Sequence, residues 1–140
     1  MILSGDEHRG SVSKDGTDRD IGARHLRSLW SKVQREAKSA DVVLLVAGLP
    51  GAGKSTRARR EARPGVLVVD TCALTPEHRA PLVRAAKRAR VPIDCLWMKT
   101  PIDTCKERRP GLDLGRMVRT MKKPKASEGF RRLRFAGGGA

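Results

Sequence analysis

The sequence VVLLVAGLPGAGKST occupies residues 42–56. Its first six residues are apolar with no alternation, which describes a strand covered on both faces, as in a parallel sheet. The run ends in a glycine-rich loop that fits G-x-x-x-x-G-K-[ST], with Gly48 as the first glycine and Gly53-Lys54-Ser55 at the close. Glycines let successive backbone N–H groups turn inward around a phosphate. A lysine in the position of Lys54 reaches the β- and γ-phosphates, and a hydroxyl in the position of Ser55 ligates Mg²⁺. The helix expected after the loop presents its positive end to the same anion. Gly48, Pro50, Gly51, Ala52, Gly53, Lys54, Ser55 and Thr56 are therefore the candidate nucleotide contacts, with ATP and Mg²⁺ as the expected ligands.

Working outward, the elements alternate. Residues 1–19 are rich in Gly, Ser, Asp, Lys and Arg and read as a disordered tail. Asp20 is placed to cap a helix over residues 20–38, with Ile21, Leu26, Leu29, Trp30, Val33 and Ala37 close to helical spacing. After the loop comes a short basic helix with Arg57, Arg59 and Arg60, broken by Arg63-Pro64-Gly65. A second apolar strand, residues 66–69, ends at Asp70. Thr75-Pro76-Glu77 starts another helix: a capping hydroxyl, a proline in the first turn, then an acid. A third strand lies within residues 91–98. Thr100-Pro101-Ile102-Asp103 repeats the capping pattern, and Pro110-Gly111 ends the short helix that follows. Leu114, Met117, Val118 and Met121 mark a further amphipathic helix, residues 129–135 a last strand, and residues 137–140 a Gly-rich tail. This order predicts one α/β domain over residues 20–136, a three-layer α/β/α P-loop NTPase fold with a short, mostly parallel sheet.

Asp70, at the end of its apolar strand, is the candidate partner of Ser55 in holding Mg²⁺, as P-loop enzymes use an Asp at such a strand end. Lys106, Arg108, Arg109, Arg116 and Arg119 form the other concentration of charge. Arginines of this kind close over phosphates in small P-loop kinases, because the planar fork stays charged and binds phosphate bidentately. Lys54 and Asp70 are the candidate catalytic residues, and Arg109 and Arg116 the candidate lid contacts.

Lys+Arg total 30 against 15 Asp+Glu, a formal net charge of +15. Such a chain attracts polyanions at low salt, although the basic residues are spread too evenly for composition to draw a groove. The three cysteines have no C-x-x-C spacing, and His8, His25 and His78 are scattered. That argues against a disulfide framework or a zinc site and for a reducing, intracellular setting, cytoplasmic, or nuclear in a eukaryotic cell. No stretch is apolar enough for a signal peptide or a membrane span, so no membrane partner is expected.

Three ordered pieces resemble the 5′-kinase domain of polynucleotide kinases, including the kinase half of polynucleotide kinase–phosphatases, and more broadly the zeta-toxin-like and AAA-like P-loop kinases. They are GLPGAGKST at 48–56, VLVVDTCALTPEHRAPLVRAAKRARVPIDCLWMKTPIDTCKER at 66–108 and MVRTMKKPKASEGFRRLRF at 117–135. The resemblance implies that Lys54, Ser55 and Thr56 serve ATP·Mg²⁺. It implies that Asp70 is the strand-end aspartate, that Arg109 or Arg116 is the lid arginine, and that the acceptor is a DNA or RNA 5′ end or a related small hydroxyl compound. Two departures stand out. The family carries a strand, an Asp-x-x-Arg acceptor motif and a helix between the P-loop helix and the Asp70 strand, where this chain has only Arg63-Pro64-Gly65. Cys72 replaces the family's asparagine. The missing unit lies at a sheet edge, so its loss leaves the two central strands adjacent but opens a new edge, which the helix at 20–38 is placed to cover. Three readings follow: a kinase acting on a 5′-hydroxyl, an ATP-binding remnant without catalysis, and a basic nucleic-acid-binding protein. Neither the acceptor nor the oligomeric state is legible.

Overall fold

The computed structural model describes residues 1–4 and 18–137, and the backbone alone for residues 18–27. Five strands form one sheet: β1 (Ile2–Ser4), β2 (Val42–Gly48), β3 (Val66–Asp70), β4 (Ile93–Met98) and β5 (Leu133–Ala136). Their order across the sheet is β1-β3-β2-β4-β5, and every neighbouring pair is parallel. The connecting helices are α1 (Asp18–Ala37), α2 (Lys54–Glu61), α3 (Pro76–Arg88), α4 (Ile102–Arg108) and α5 (Leu114–Thr120). The chain steps from β2 to β3 in one direction along the sheet, and from β1 to β2 and β3 to β4 in the other. Right-handed crossovers therefore put α2 on one face and α1 with α3 on the other, giving a three-layer α/β/α architecture. Among the described residues no helix is long and apolar enough to cross a membrane.

The central strands are buried at almost every position because both faces are covered. Val43, Leu45, Val46 and Ala47 on β2 and Val68 and Val69 on β3 have no exposed surface. The register pairs Val46 with Asp70 on one side and with Leu96 on the other. These three residues share one face of the pleat, the face that α2 covers. Asp70 thus ends β3 level with Val46, beneath the phosphate loop that begins at Gly48.

The first residues correct the sequence reading. Ile2–Ser4 are not part of a tail: they pair with Val68, Val69 and Asp70 and close the edge beside β3. A strand of 3 residues is too short to show periodicity, and its apolar pair Ile2-Leu3 looks like an ordinary chain start. The edge opened by the short Arg63-Pro64-Gly65 connection is therefore filled by β1, and α1 crosses over β3 to join β1 to β2. Helix α1 begins at Asp18, ahead of the expected Asp20 cap. The rest of the expected tail, residues 5–17, and most of the Gly-rich end, residues 138–140, lie outside the described residues.

One buried side chain ties the far end of the chain to the sheet. Arg79, on α3, has 0 % exposure. Its guanidinium donates to the Ala73 carbonyl at 2.8 Å, to the Lys122 carbonyl at 2.9 Å and to both oxygens of Glu128, at 2.8 and 3.2 Å. Its carbon lies 5.9 Å from the centre of the Trp97 ring, on β4. Glu128 in turn accepts from the Lys125 backbone N–H at 2.7 Å, in a short 3-10 turn at Ala126–Glu128. A buried charge tolerates this setting only because each guanidinium nitrogen has a partner. Arg131, just beyond the turn, makes a two-point ion pair with Asp94 at 3.0 and 2.8 Å and so sets β5 against β4. Nearby, burial pushes the Cys95 thiol up to about 12, so it stays a neutral core group. Replacing Arg79 with Met removes the partner of Glu128 and of two carbonyls at once. The expected loss is about 3–5 kcal/mol of stability in urea unfolding, and a loss under 1 kcal/mol would contradict the network.

Candidate functional site

The loop between β2 and α2 is shaped by three glycines with positive φ: Gly48 at 147°, Gly51 at 82° and Gly53 at 92°. Gly48 is also pressed from the side. A Cβ there would stand 2.9 Å from the Met98 carbonyl oxygen, so the strand-end glycine lets β2 and β4 stay in contact as the chain turns. At Gly51 a Cβ would stand 3.0 Å from the Cys105 carbonyl oxygen and 3.1 Å from a carbon of Arg109. The loop therefore lies tightly under the end of α4.

Helix α2 starts at Lys54 with Gly53 as N-cap, and no side chain caps it. Its first N–H groups are left for a ligand or water. Lys54 is 3 % exposed, and its Nζ donates to the Leu49 carbonyl at 3.0 Å across the loop. Ser55 and Thr56 are exposed beside it. The Ser55 hydroxyl lies 2.8 Å from Asp70 Oδ2, and Asp70 itself is 1 % exposed. Two oxygens of the kind Mg²⁺ prefers thus meet at the foot of the loop.

A cavity of about 450 Å³ opens over this loop, lined by residues 51–57 together with Arg60, Met98, Arg108, Arg109 and Gly137. It carries four arginines and Lys54 and no acidic side chain. Arg108 donates to the Gly51 carbonyl at 3.0 Å, so α4 already reaches the crest of the loop. Arg57 pairs with Glu61 at 3.1 Å, one turn on, and Arg134 from β5 meets the same carboxylate at 3.2 Å. Burial pushes the Glu61 carboxyl up, but Arg134 and Arg57 together outweigh it and hold it below its ordinary value.

Of the residues singled out from sequence, Gly51, Ala52, Gly53, Lys54, Ser55, Thr56 and Arg109 line this cavity, and Asp70 joins it through Ser55. Gly48 and Pro50 are buried behind it. Arg116 does not line it. Pro110-Gly111 ends α4, and α5 then turns to bury Leu114, which leaves Arg116 exposed elsewhere. Arg108, one of the basic cluster noted from sequence, also lines it. Arg57 and Arg60 are lining residues that sequence reasoning did not single out; their signal was positional, since both sit in the turns that follow the loop lysine.

Thr100 also departs from expectation. It does not cap α4, whose N-cap is Pro101 with no side-chain bond. Its hydroxyl donates instead to the Ala52 carbonyl at 2.7 Å, in a buried contact. This ties one loop carbonyl to the connection that follows β4. Beside it, burial pushes the Cys105 thiol up, against the pull of Lys54 and Arg108.

The site could hold a nucleoside triphosphate with Mg²⁺. Its volume lies within the range of small-ligand pockets, roughly 300–1,000 Å³. Among the described residues the charged side chains that line it are all basic. Mg²⁺ takes one or two protein oxygens plus waters and phosphates, and Ser55 with Asp70 could supply the protein oxygens. A scan of the chain against protein-family models finds no match, and a search of curated proteins finds none either.

Thr100→Val removes the donor to Ala52 with little change in shape. The expected loss is about 1 kcal/mol of unfolding free energy, with Thr100→Ser recovering most of it. Equal stability of Val and Thr variants would show that the contact does not hold the loop.

Proposed function

We propose that this chain is an ATP-binding phosphotransferase with a P-loop NTPase fold, acting on the 5′-hydroxyl of DNA or RNA or on a related small acceptor. The observation that carries the reading is the Ser55–Asp70 contact of 2.8 Å, beneath a glycine loop whose cavity is lined only by basic and neutral side chains. A loop used only for folding has no need of a hydroxyl–carboxylate pair at its foot and four arginines at its mouth.

The chemistry follows from charge. Phosphoryl transfer requires little covalent work from the protein and much positioning and neutralisation. Backbone N–H groups of the loop and of the α2 start would hold phosphate oxygens. Lys54, released from the Leu49 carbonyl, would reach the β- and γ-phosphates. Arg108 and Arg109, at the end of α4, would meet the charge that builds on the transferred group. Ser55 and Asp70 would hold Mg²⁺ directly or through its waters, and the ion, when bound, neutralises the β- and γ-oxygens.

The acceptor side is thinner. No Asp-x-x-Arg segment separates α2 from β3, and β1 occupies the sheet edge beside β3. A general base is worth about 10²–10⁴-fold, so transfer is expected to be slow relative to nucleotide binding. Asp70 is the carboxylate closest to the phosphate loop, and it serves the metal first. The three free cysteines, all buried, agree with a protein of a reducing compartment.

With labelled ATP·Mg²⁺ and a 5′-hydroxyl oligonucleotide, slow transfer of label is expected from the natural chain. Lys54→Ala should lose at least tenfold in ATP affinity and all transfer. Tight ATP binding with no transfer would favour the non-catalytic reading. Retention of ATP binding by Lys54→Ala would defeat the proposed role of the loop.

A further inference from the structure

Two more cavities lie on the α1–α3 face of the sheet, and they meet at one side chain. The first, about 240 Å³, is walled by Thr71, Leu74, Thr75, His78 and Met117, with Trp30 at one side. The second, about 340 Å³, is an open groove between α1 and α3 containing Gln34, Arg84 and Arg88, again with Trp30. Trp30 therefore stands between a pocket at the end of β3 and a basic groove that runs down the helix pair.

We propose that this track binds single-stranded nucleic acid: phosphates on Arg84 and Arg88, a base against Trp30, and the 5′ end toward Thr71. Binding on the track is independent of the phosphate loop; only the direction of the 5′ end rests on the reading given above.

Charge supports this occupant. No acidic side chain lines either cavity among the described residues. Arg84 and Arg88 are both exposed and lie one helical turn apart on α3. Neither takes part in any ion pair among the described residues. Residues four apart on a helix are neighbours, so the two guanidinium groups present one positive edge to a phosphate backbone.

The indole supports it independently. The chain has 2 tryptophans and no tyrosine. Trp97 is buried beneath Arg79 at 1 % exposure, which leaves Trp30 as the indole that lines a cavity, and it lines both of these. The Trp30 Nε1–H is buried and has no hydrogen-bond acceptor among the described residues. A base carbonyl or phosphate oxygen entering beside the ring can supply one. Pairing a stacking ring with a basic groove is how single strands are held without sequence preference.

Position completes the argument. Thr71, in the wall of the first pocket, directly follows Asp70, the partner of Ser55. A strand lying on the track with its first nucleotide in that pocket ends at the same edge of the sheet as the phosphate loop. That would supply the acceptor positioning for which the chain carries no Asp-x-x-Arg segment between α2 and β3.

The test titrates the full chain, without nucleotide, with a single-stranded 5′-hydroxyl oligothymidylate and follows tryptophan fluorescence. Binding with quenching is expected. Arg84→Glu/Arg88→Glu should weaken it at least tenfold, and Arg84→Ala/Arg88→Ala should lower the slope of log affinity against log salt by roughly 1.4. Trp30→Phe should abolish the quench, and Trp30→Ala should weaken binding about tenfold. The control is Arg59→Glu/Arg63→Glu, an equal charge change at exposed positions of α2 and the turn after it. If the control loses as much as the α3 pair, or if polyglutamate competes as well as the oligonucleotide, the track is only part of a diffuse positive surface and the proposal falls. ATP binding measured on the Arg84→Glu/Arg88→Glu variant should match the natural chain. Its loss there would mean misfolding and is checked by the Ala pair. Failure of the natural chain to bind ATP would sink the phosphate-site reading and leave the oligonucleotide result standing.

Discussion

The site depends on the register between β2 and β3. Because Val46 pairs with Asp70, the strand that carries the carboxylate ends two residues short of Gly48, where the glycine loop begins. The Ser55 hydroxyl can then meet Asp70 at 2.8 Å without distortion of either element. A slip of one residue would turn Asp70 to the α1–α3 face and leave a buried carboxylate with no hydroxyl at the loop. The unbroken apolar runs of both strands do not fix register by alternation. It is held instead by the short turn after α2 at the start of β3, where the Gly65 carbonyl accepts from the Asp41 and Val42 N–H groups at 2.8 and 3.2 Å.

Around that register the molecule is closed by charges that are paired rather than solvated. Arg79 gathers Glu128 and two carbonyls beneath Trp97, Arg131 takes Asp94, and Glu61 takes Arg57 with Arg134. The exposed pairs are worth little in stability, typically ~0–1 kcal/mol each. Their effect is geometric: they join β5 to β4 and α2, and the segment after α5 to α3. The exposed cations outside these pairs include those at the end of α4 and in the α1–α3 groove.

Much of this was readable. The loop, the strand that precedes it and the strand ending in Asp70 follow from patterns with one physical meaning, and the three helices signalled by Pro and capping residues begin within a residue or two of where they were expected. What escaped did so for identifiable reasons. Ile2–Ser4 carry too few residues to show a period, and their strand exists only because β3 offers an open edge. Thr100 has the look of a cap, but the nearby Ala52 carbonyl competes for the same hydroxyl and wins. Arg116 and Arg109 are equivalent in sequence, and only the direction taken after Pro110-Gly111 separates them. Arg79 and Glu128 lie 49 positions apart, so their union is invisible without the fold.

The account turns on Ser55 and Asp70 holding a metal that the nucleotide shares. Calorimetric titration of the chain with ATP, with and without Mg²⁺, addresses this directly when repeated on Asp70→Asn. The account predicts that Mg²⁺ tightens ATP binding to the natural chain at least tenfold, and that the Asn variant binds ATP with little response to Mg²⁺. Equal Mg²⁺ dependence in the two proteins would contradict it.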